Sequence, residues 1–268
     1  MKKIILSMLA VLFSATLSFA ADQAPPKDIK TCAVQMPYGE PSTKASDPVI
    51  CRTAYVLEHD SLAKIPVWVV WTLTPEHAIG CVARTNAFAA DASLPADKRS
   101  TPADYAASGY DQGHLANDAD MSWDDQVEHE SFYMSNMSPQ LPNVNRGTWK
   151  SLESAARAWV YQTKHAHTIY AGNIFATSTK TIGPDKVFVP TDLYKIVIDD
   201  VTKKSYAFII PNKEGIDADF TKFQVTVADV EKASGVTFPV PDAKTIKNPI
   251  IPADLKTIAA DKKKQCKE

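Results

Sequence analysis

The sequence predicts an α+β fold, a mixed or antiparallel β-sheet core with packed helices, in one main domain spanning 48–258. Three observations carry this. Residues 65–73 (IPVWVVWTL) form an unbroken apolar, β-branched and aromatic run, the pattern of a buried strand. Several shorter strand-like segments follow, without a linker or repeat between them. One segment, 147–164, carries Trp149, Leu152, Ala156, Trp159, Val160 and Thr163 at helical spacing.

Taken in order, residues 1–20 (MKKIILSMLAVLFSATLSFA) have a basic start, an apolar middle and a small residue at the end, as a cleaved signal peptide does. The run is short for a membrane span, so a secreted or periplasmic chain cut after Ala20 is expected. Residues 21–47 are rich in Pro, Lys, Asp and Ser and read as an irregular N-terminal arm. Strands are expected at 52–58 and 65–73, a loop at 87–108, and two short strands at 110–115 and 131–137 joined by a polar connection. After the helix come strands at 167–175, 187–189, 194–198 and 206–210. Thr226 reads as the cap of a short helix ending at Gly235, and 259–268 as a charged tail.

Composition sets limits. Of 268 residues, 45% are hydrophobic and 22% charged, which excludes a disordered chain. A formal net charge of -2 excludes a strongly basic coat protein for nucleic acid. Four cysteines in an exported chain favour two disulfides over a metal site, since no CxxC pair exists. Four cysteines allow three pairings. The expectation is Cys32–Cys51, closing a local loop, and Cys81–Cys266, tying down the tail.

Polar functional groups crowd residues 109–157: Asp111-Gln112-Gly113-His114, then Ser135-Asn136-Met137-Ser138-Pro139-Gln140, then Asn145-Arg146-Gly147, and Glu153 and Arg157 on the helix. At about 100° per residue, Glu153 borders the apolar stripe and Arg157 lies about 40° further round. Both can therefore face one groove beside a hairpin, with Asn145 just before the first turn. A neutral imidazole can take a proton from water near neutral pH. Magnesium prefers oxygen ligands and keeps most of its waters, so one amide oxygen and a nearby carboxylate can hold it. Arginine suits phosphate because its fork is planar and always charged. Singly, each group has an ordinary explanation: asparagines cap helices, and Glu153 with Arg157 could be a plain surface pair. The other histidines, His59, His77, His129, His165 and His167, lack such a context. Asp118, Asp120, Asp124 and Asp125 lack the glycine and terminal glutamate of a calcium loop. There is no HExxH, G-x-S-x-G or P-loop.

The runs GYDQGHLANDADM, FYMSNMSPQ and NRGTWKSLE together resemble the DNA/RNA non-specific endonucleases, the secreted ββα-metal nucleases related to mitochondrial endonuclease G. The resemblance extends over about 65–240. It implies a ββα-metal active site, and DNA and RNA as substrates cut to 5′-phosphate ends. It implies His114 as general base, Asn145 as the single protein ligand of a hydrated Mg2+ (Mn2+ or another divalent ion in its place), and Glu153 as the acid holding the ion's water. It implies Arg157 and Arg84 beside the phosphate, and Asn136 in a supporting role. Gln112 stands where that family usually has arginine, which removes one cation from the phosphate cleft. The alternatives from other classes are a nucleic-acid-binding protein without turnover and a phosphodiesterase of small substrates. The sequence leaves the oligomeric state open.

Overall fold

The computed structural model describes residues 29–43, 48–175 and 180–267. The signal-like segment 1–20, and 21–28 and 44–47 of the arm, lie outside the described residues. In chain order the strands and helices begin with β1 (Val49–Cys51), β2 (Tyr55–Asp60), β3 (Ile65–Leu73) and α1 (Pro102–Tyr105). There follow β4 (Asp111–His114), α2 (Asp118–Met121), α3 (Asp125–Ser131), β5 (Met137–Gln140) and α4 (Lys150–Thr163). The second half holds β6 (His167–Ile174), β7 (Thr181–Ile182), β8 (Val187–Phe188), β9 (Asp192–Asp199), β10 (Ser205–Pro211), β11 (Gln224–Val225), α5 (Val227–Ser234) and α6 (Leu255–Gln265).

Seven strands form one antiparallel sheet in the order β1-β2-β3-β6-β9-β10-β11. Its central strands are mostly apolar because both faces are covered. On one face, Tyr55, Leu57, Val69, Trp71, Ile169, Ala171, Leu193 and Val197 pack against Trp149, Leu152, Ala156, Trp159 and Val160 of and beside α4. On the other, Val56, Trp68, Val70, Tyr170, Tyr194 and Ile196 meet Cys32, Met36, Val227, Val230 and Phe238. The period of two in β3 sends Trp68 to one side and Trp71 to the other. Above the α4 face, β4 and β5 form a separate antiparallel pair with His114 opposite Met137. This hairpin followed by α4 is the ββα unit, and Trp149 Nε1 donates to His114 O at 3.2 Å to join its parts.

Several expectations need correction. The strand expected at 131–137 is instead the end of α3 and a 3-10 turn (Met134–Asn136), and the strand is Met137–Gln140. Asp124 starts α3 by accepting from the Gln126 and Val127 amides, so the β-like Phe132 and Tyr133 owe their composition to burial, not to strand geometry. The regular helix begins at Lys150, not Gly147. A wider turn, Val144–Trp149, precedes it, with Gly147 at φ -109° and ψ -105°. The loop at 87–108 contains α1, capped by Thr101 and Asp104. The tail is largely helical, within α6. Both disulfides have the expected partners, Cys32–Cys51 and Cys81–Cys266, with Cα separations of 6.1 and 5.2 Å. Trp149 and Trp159 are buried, as a core role requires.

Trp159 locks α4 to the sheet and donates to Ile251 O at 2.7 Å. Trp159→Ala is expected to cost about 3–5 kcal/mol in denaturant unfolding, through cavity and transfer losses.

Candidate active site

The hairpin is held open toward α4 by local geometry. Gly113 sits opposite Ser138. A Cβ there would lie 2.2 Å from Gln140 Cδ, so the glycine leaves room for the buried Gln140 side chain. Asn136 is fully buried and staples the segment after β4. Its Nδ2 donates to Ala116 O and Ser131 O at 2.8 Å each, and its Oδ1 accepts from Ala116 N at 3.0 Å. Asn136 therefore does not reach the cavity; it shapes the wall that carries His114.

His114, Asn145, Glu153, Arg157 and Arg84 all line one cavity of about 480 Å3, with Gln112, Asn117, Asp118, Ala119, Arg146, Lys150 and Ser154. Five of the six candidate residues are thus brought together. The other histidines lie elsewhere: His77 stacks on Trp123, His129 meets Tyr133 edge-on, His59 Nε2 bonds to Lys98 O, His165 pairs with Asp199, and His167 is buried.

His114 is 8% exposed and sits edge-on to Phe132. Its Nε2 is buried without a hydrogen-bond partner. Burial, then the nearby Arg84 charge, pushes its pKa down to about 3. The ring is therefore neutral across the physiological range.

Asp111 sets the orientation of Asn145. Its carboxylate accepts from Asn145 Nδ2 at 2.8 Å and takes a two-pronged ion pair from Arg146, at 2.8 and 2.6 Å. With the amide nitrogen committed to a carboxylate, the amide oxygen is the end left for a hard cation. Arg84 is held by Asn86 Oδ1 at 2.8 Å and Asp118 Oδ2 at 3.0 Å, its guanidinium over the Phe132 ring. Arg157 is held by Asp120 Oδ1 at 2.8 Å and Asn117 Oδ1 at 3.2 Å.

Beneath the cavity lies a residue that the sequence reading passed over. Lys195, on β9, is 1% exposed, with its Nζ 3.7 Å from Glu153 Oε1 and over the rings of Trp149 and Trp71 at 4.5 and 5.1 Å. Burial raises the Glu153 pKa to about 7, with Lys195 opposing that rise, and burial lowers the Lys195 pKa. The ion pairs of the cavity floor thus run Glu153 to Lys195 and Arg157 to Asp120, which replaces the plain surface pair between Glu153 and Arg157. Asp111, Arg146, Asp120 and Lys195 had no role in the sequence reading. A lone lysine inside the apolar run LYKIVI was the available signal for Lys195.

The family model for DNA/RNA non-specific endonuclease matches residues 36–242. The chain belongs to this family. It is 32% identical over 202 residues to human "Endonuclease G, mitochondrial", covering 70% of this chain and 68% of that protein. It is 33% identical over 219 residues to "Nuclease C1" of Cunninghamella echinulata var. echinulata, covering 75% and 85%. A solved structure described as the EndoG/EndoGI complex superposes with a TM-score of 0.73 at 28% identity, covering 84% of this chain and 97% of that one. The α+β, ββα-metal fold and a DNA/RNA endonuclease activity, a phosphodiester hydrolysis, follow for this chain. All six candidate residues of this non-specific endonuclease fall inside the matched span; α6 falls outside it. Among the described residues no helix is long and apolar enough to cross a membrane, and no cluster of three or more His, Cys, Asp or Glu forms a ready metal cage.

Because the His114 pKa is depressed on folding, its stabilising contribution is complete above the unfolded value near 6.5 and is lost as pH falls toward about 3. The melting temperature of the wild type should therefore drop between pH 6.5 and 4. His114→Ala should show a shallower acid slope, read by differential scanning fluorimetry across pH.

Proposed function

We propose that this endonuclease is exported and cuts DNA and RNA with little sequence preference, leaving 5′-phosphate ends, with His114 as general base and one hydrated Mg2+ at Asn145. One observation carries the reading: His114, Asn145, Glu153, Arg84 and Arg157 open into the same cavity, where Asp111 turns the Asn145 amide oxygen away from itself. The donor set suits the ion, since magnesium takes a few protein oxygens and keeps its own waters. Asn145 Oδ1 would hold it, and the Glu153 carboxylate, which lines the same cavity, would hold its hydration shell. When bound, the ion supplies charge that stabilises the phosphoryl oxygens and the departing 3′ oxygen.

The protein's own part follows from the geometry. The neutral His114 imidazole takes a proton from water as that water's oxygen bonds to phosphorus. The P–O3′ bond breaks, the phosphate stays on the 5′ side, the 3′ oxygen takes a proton from solvent water and leaves as a hydroxyl, and the proton on His114 returns to solvent. A pKa near 3 makes a weak base. The anionic phosphate entering beside Arg84 offsets that arginine's field and raises the basicity of the ring when substrate is bound. Arg84 and Arg157, each braced by an aspartate, are aimed before the reaction and need little reorganisation. Arg146 and Lys150 add positive charge at the cavity, so a chain of net charge -2 can still receive a polyanion there. Two disulfides and the signal-like segment support export.

Purified protein should nick plasmid in Mg2+ and stop in EDTA, and His114→Ala should lower the rate by about 10²–10⁴-fold. Retained cleavage in His114→Ala would remove the base assignment. Asn145→Ala, and more weakly Asp111→Ala, should raise the Mg2+ concentration needed for half-maximal nicking. Gln112→Arg should lower KM for duplex DNA, most strongly at low salt.

A further inference from the structure

We propose that α6 is a tethered basic wall of the cleft that grips the sugar-phosphate backbone of a polynucleotide beside the scissile position. The inference rests on the polynucleotide reading above and assigns a surface that the family match does not include, since α6 lies beyond residue 242.

The helix is tied to α4 and to the segment that leads to Arg84, two of the elements that supply cavity residues. At its start, Asp254 caps it by accepting from Thr257 N at 3.0 Å, and Asp254 N donates to Gln162 Oε1 of α4 at 2.9 Å. In its middle, Tyr161 of α4 donates to Asp261 Oδ2 at 2.8 Å. At its end, Cys266 is bonded to Cys81, and Gln265 Nε2 donates to Ile79 O at 3.3 Å. Residues 79–81 lead directly into Arg84, so one disulfide clips α6 to the loop segment that delivers a cavity arginine. Yet α6 buries no residue of its own fully. A helix so exposed adds little to the core, so the clip acts on where the helix stands.

The space beside α6 adjoins the active site. A cavity of about 220 Å3 is walled by Leu255, Ile258 and Lys262 of α6 and shares Ala119, Ser154 and Arg157 with the catalytic cavity. A second, of about 540 Å3, lies under residues 250–255 and shares Arg146, Lys150 and Ser154 with it. The catalytic cavity therefore opens along α4 on both sides, into grooves bordered by the C-terminal segment. Lys262 and Arg157 face one groove, and Arg146 and Lys150 the other. A single small phosphodiester fits the catalytic cavity alone; a strand of successive phosphates is the anion whose length and charge match cations spread along adjoining grooves.

The test compares long duplex DNA with bis(p-nitrophenyl) phosphate, each in Mg2+, for wild type, Lys262→Gln, Lys262→Arg and the double variant Cys81→Ser/Cys266→Ser. Loss of one phosphate contact should raise KM for DNA about fivefold at 0.15 M salt and reduce the salt slope by about 0.9. The ratio of kcat/KM on DNA to that on the small ester should fall by the same factor. Lys262→Arg should restore it, which a merely structural role of the side chain does not require. The double serine variant, with its fold checked by circular dichroism, should lower the same ratio because α6 is unclipped. Wild-type KM and salt slope in Lys262→Gln, alongside His114-dependent cleavage, would overturn the clamp alone. Absence of any polynucleotide cleavage by the wild type would overturn the underlying functional reading and the clamp with it.

Discussion

The active site depends on the seating of α4 against the central sheet. Trp149, Leu152, Ala156, Trp159 and Val160 bury one stripe of that helix on the face presented by Tyr55, Val69, Trp71 and Val197. That apolar contact sets the height and rotation of the helix, and Glu153 and Arg157 are carried with it to the cavity wall. The hairpin β4–β5 is placed above the same helix by the indole of Trp149, which donates to the carbonyl of His114. A hydrophobic interface thus determines distances between polar groups that make no direct bond to one another.

Electrostatics then sharpens what packing has placed. The cavity floor holds two largely buried ion pairs, Glu153 with Lys195 and Arg157 with Asp120, of which Glu153 and Arg157 reach the cavity. Buried ion pairs of this kind contribute little net stability, because desolvation offsets most of their attraction. They do hold charges at defined places, and a site that must accept a phosphate and a cation together needs that. At the other end of the cavity Asp111 restrains Asn145 and Arg146 at once, and Asp118 restrains Arg84. Arg84, Asn145, Arg146 and Arg157 are thus each held by a carboxylate.

Local pattern was a good guide wherever a residue's partners are close in the chain. The stripe of α4, the buried run of β3 and the Thr226-to-Gly235 helix were legible because their periodicity and capping are local. The segment 131–137 misled because Phe132, Tyr133 and Met134 are apolar for tertiary reasons; they fill the space between the hairpin and its surroundings without forming a strand. The tail at 259–268 reads as a charged tail because its anchors, Tyr161, Ile79 and Cys81, are distant in sequence.

By itself the sequence determined the α+β class, the main strands and the cluster from His114 to Arg157, since all of these are written in spacing and residue type over short stretches; the pairing of the four cysteines it left among three possibilities. Only the tertiary structure decided that Asn136 is a buried staple, that Asp111 turns the Asn145 amide, that Lys195 lies under Glu153, and that α6 borders the cleft. The physical reason is common to all four. A side chain's role there is set by the burial and charge of neighbours that folding brings near, some from far along the chain, and spacing in the sequence carries no measure of that distance.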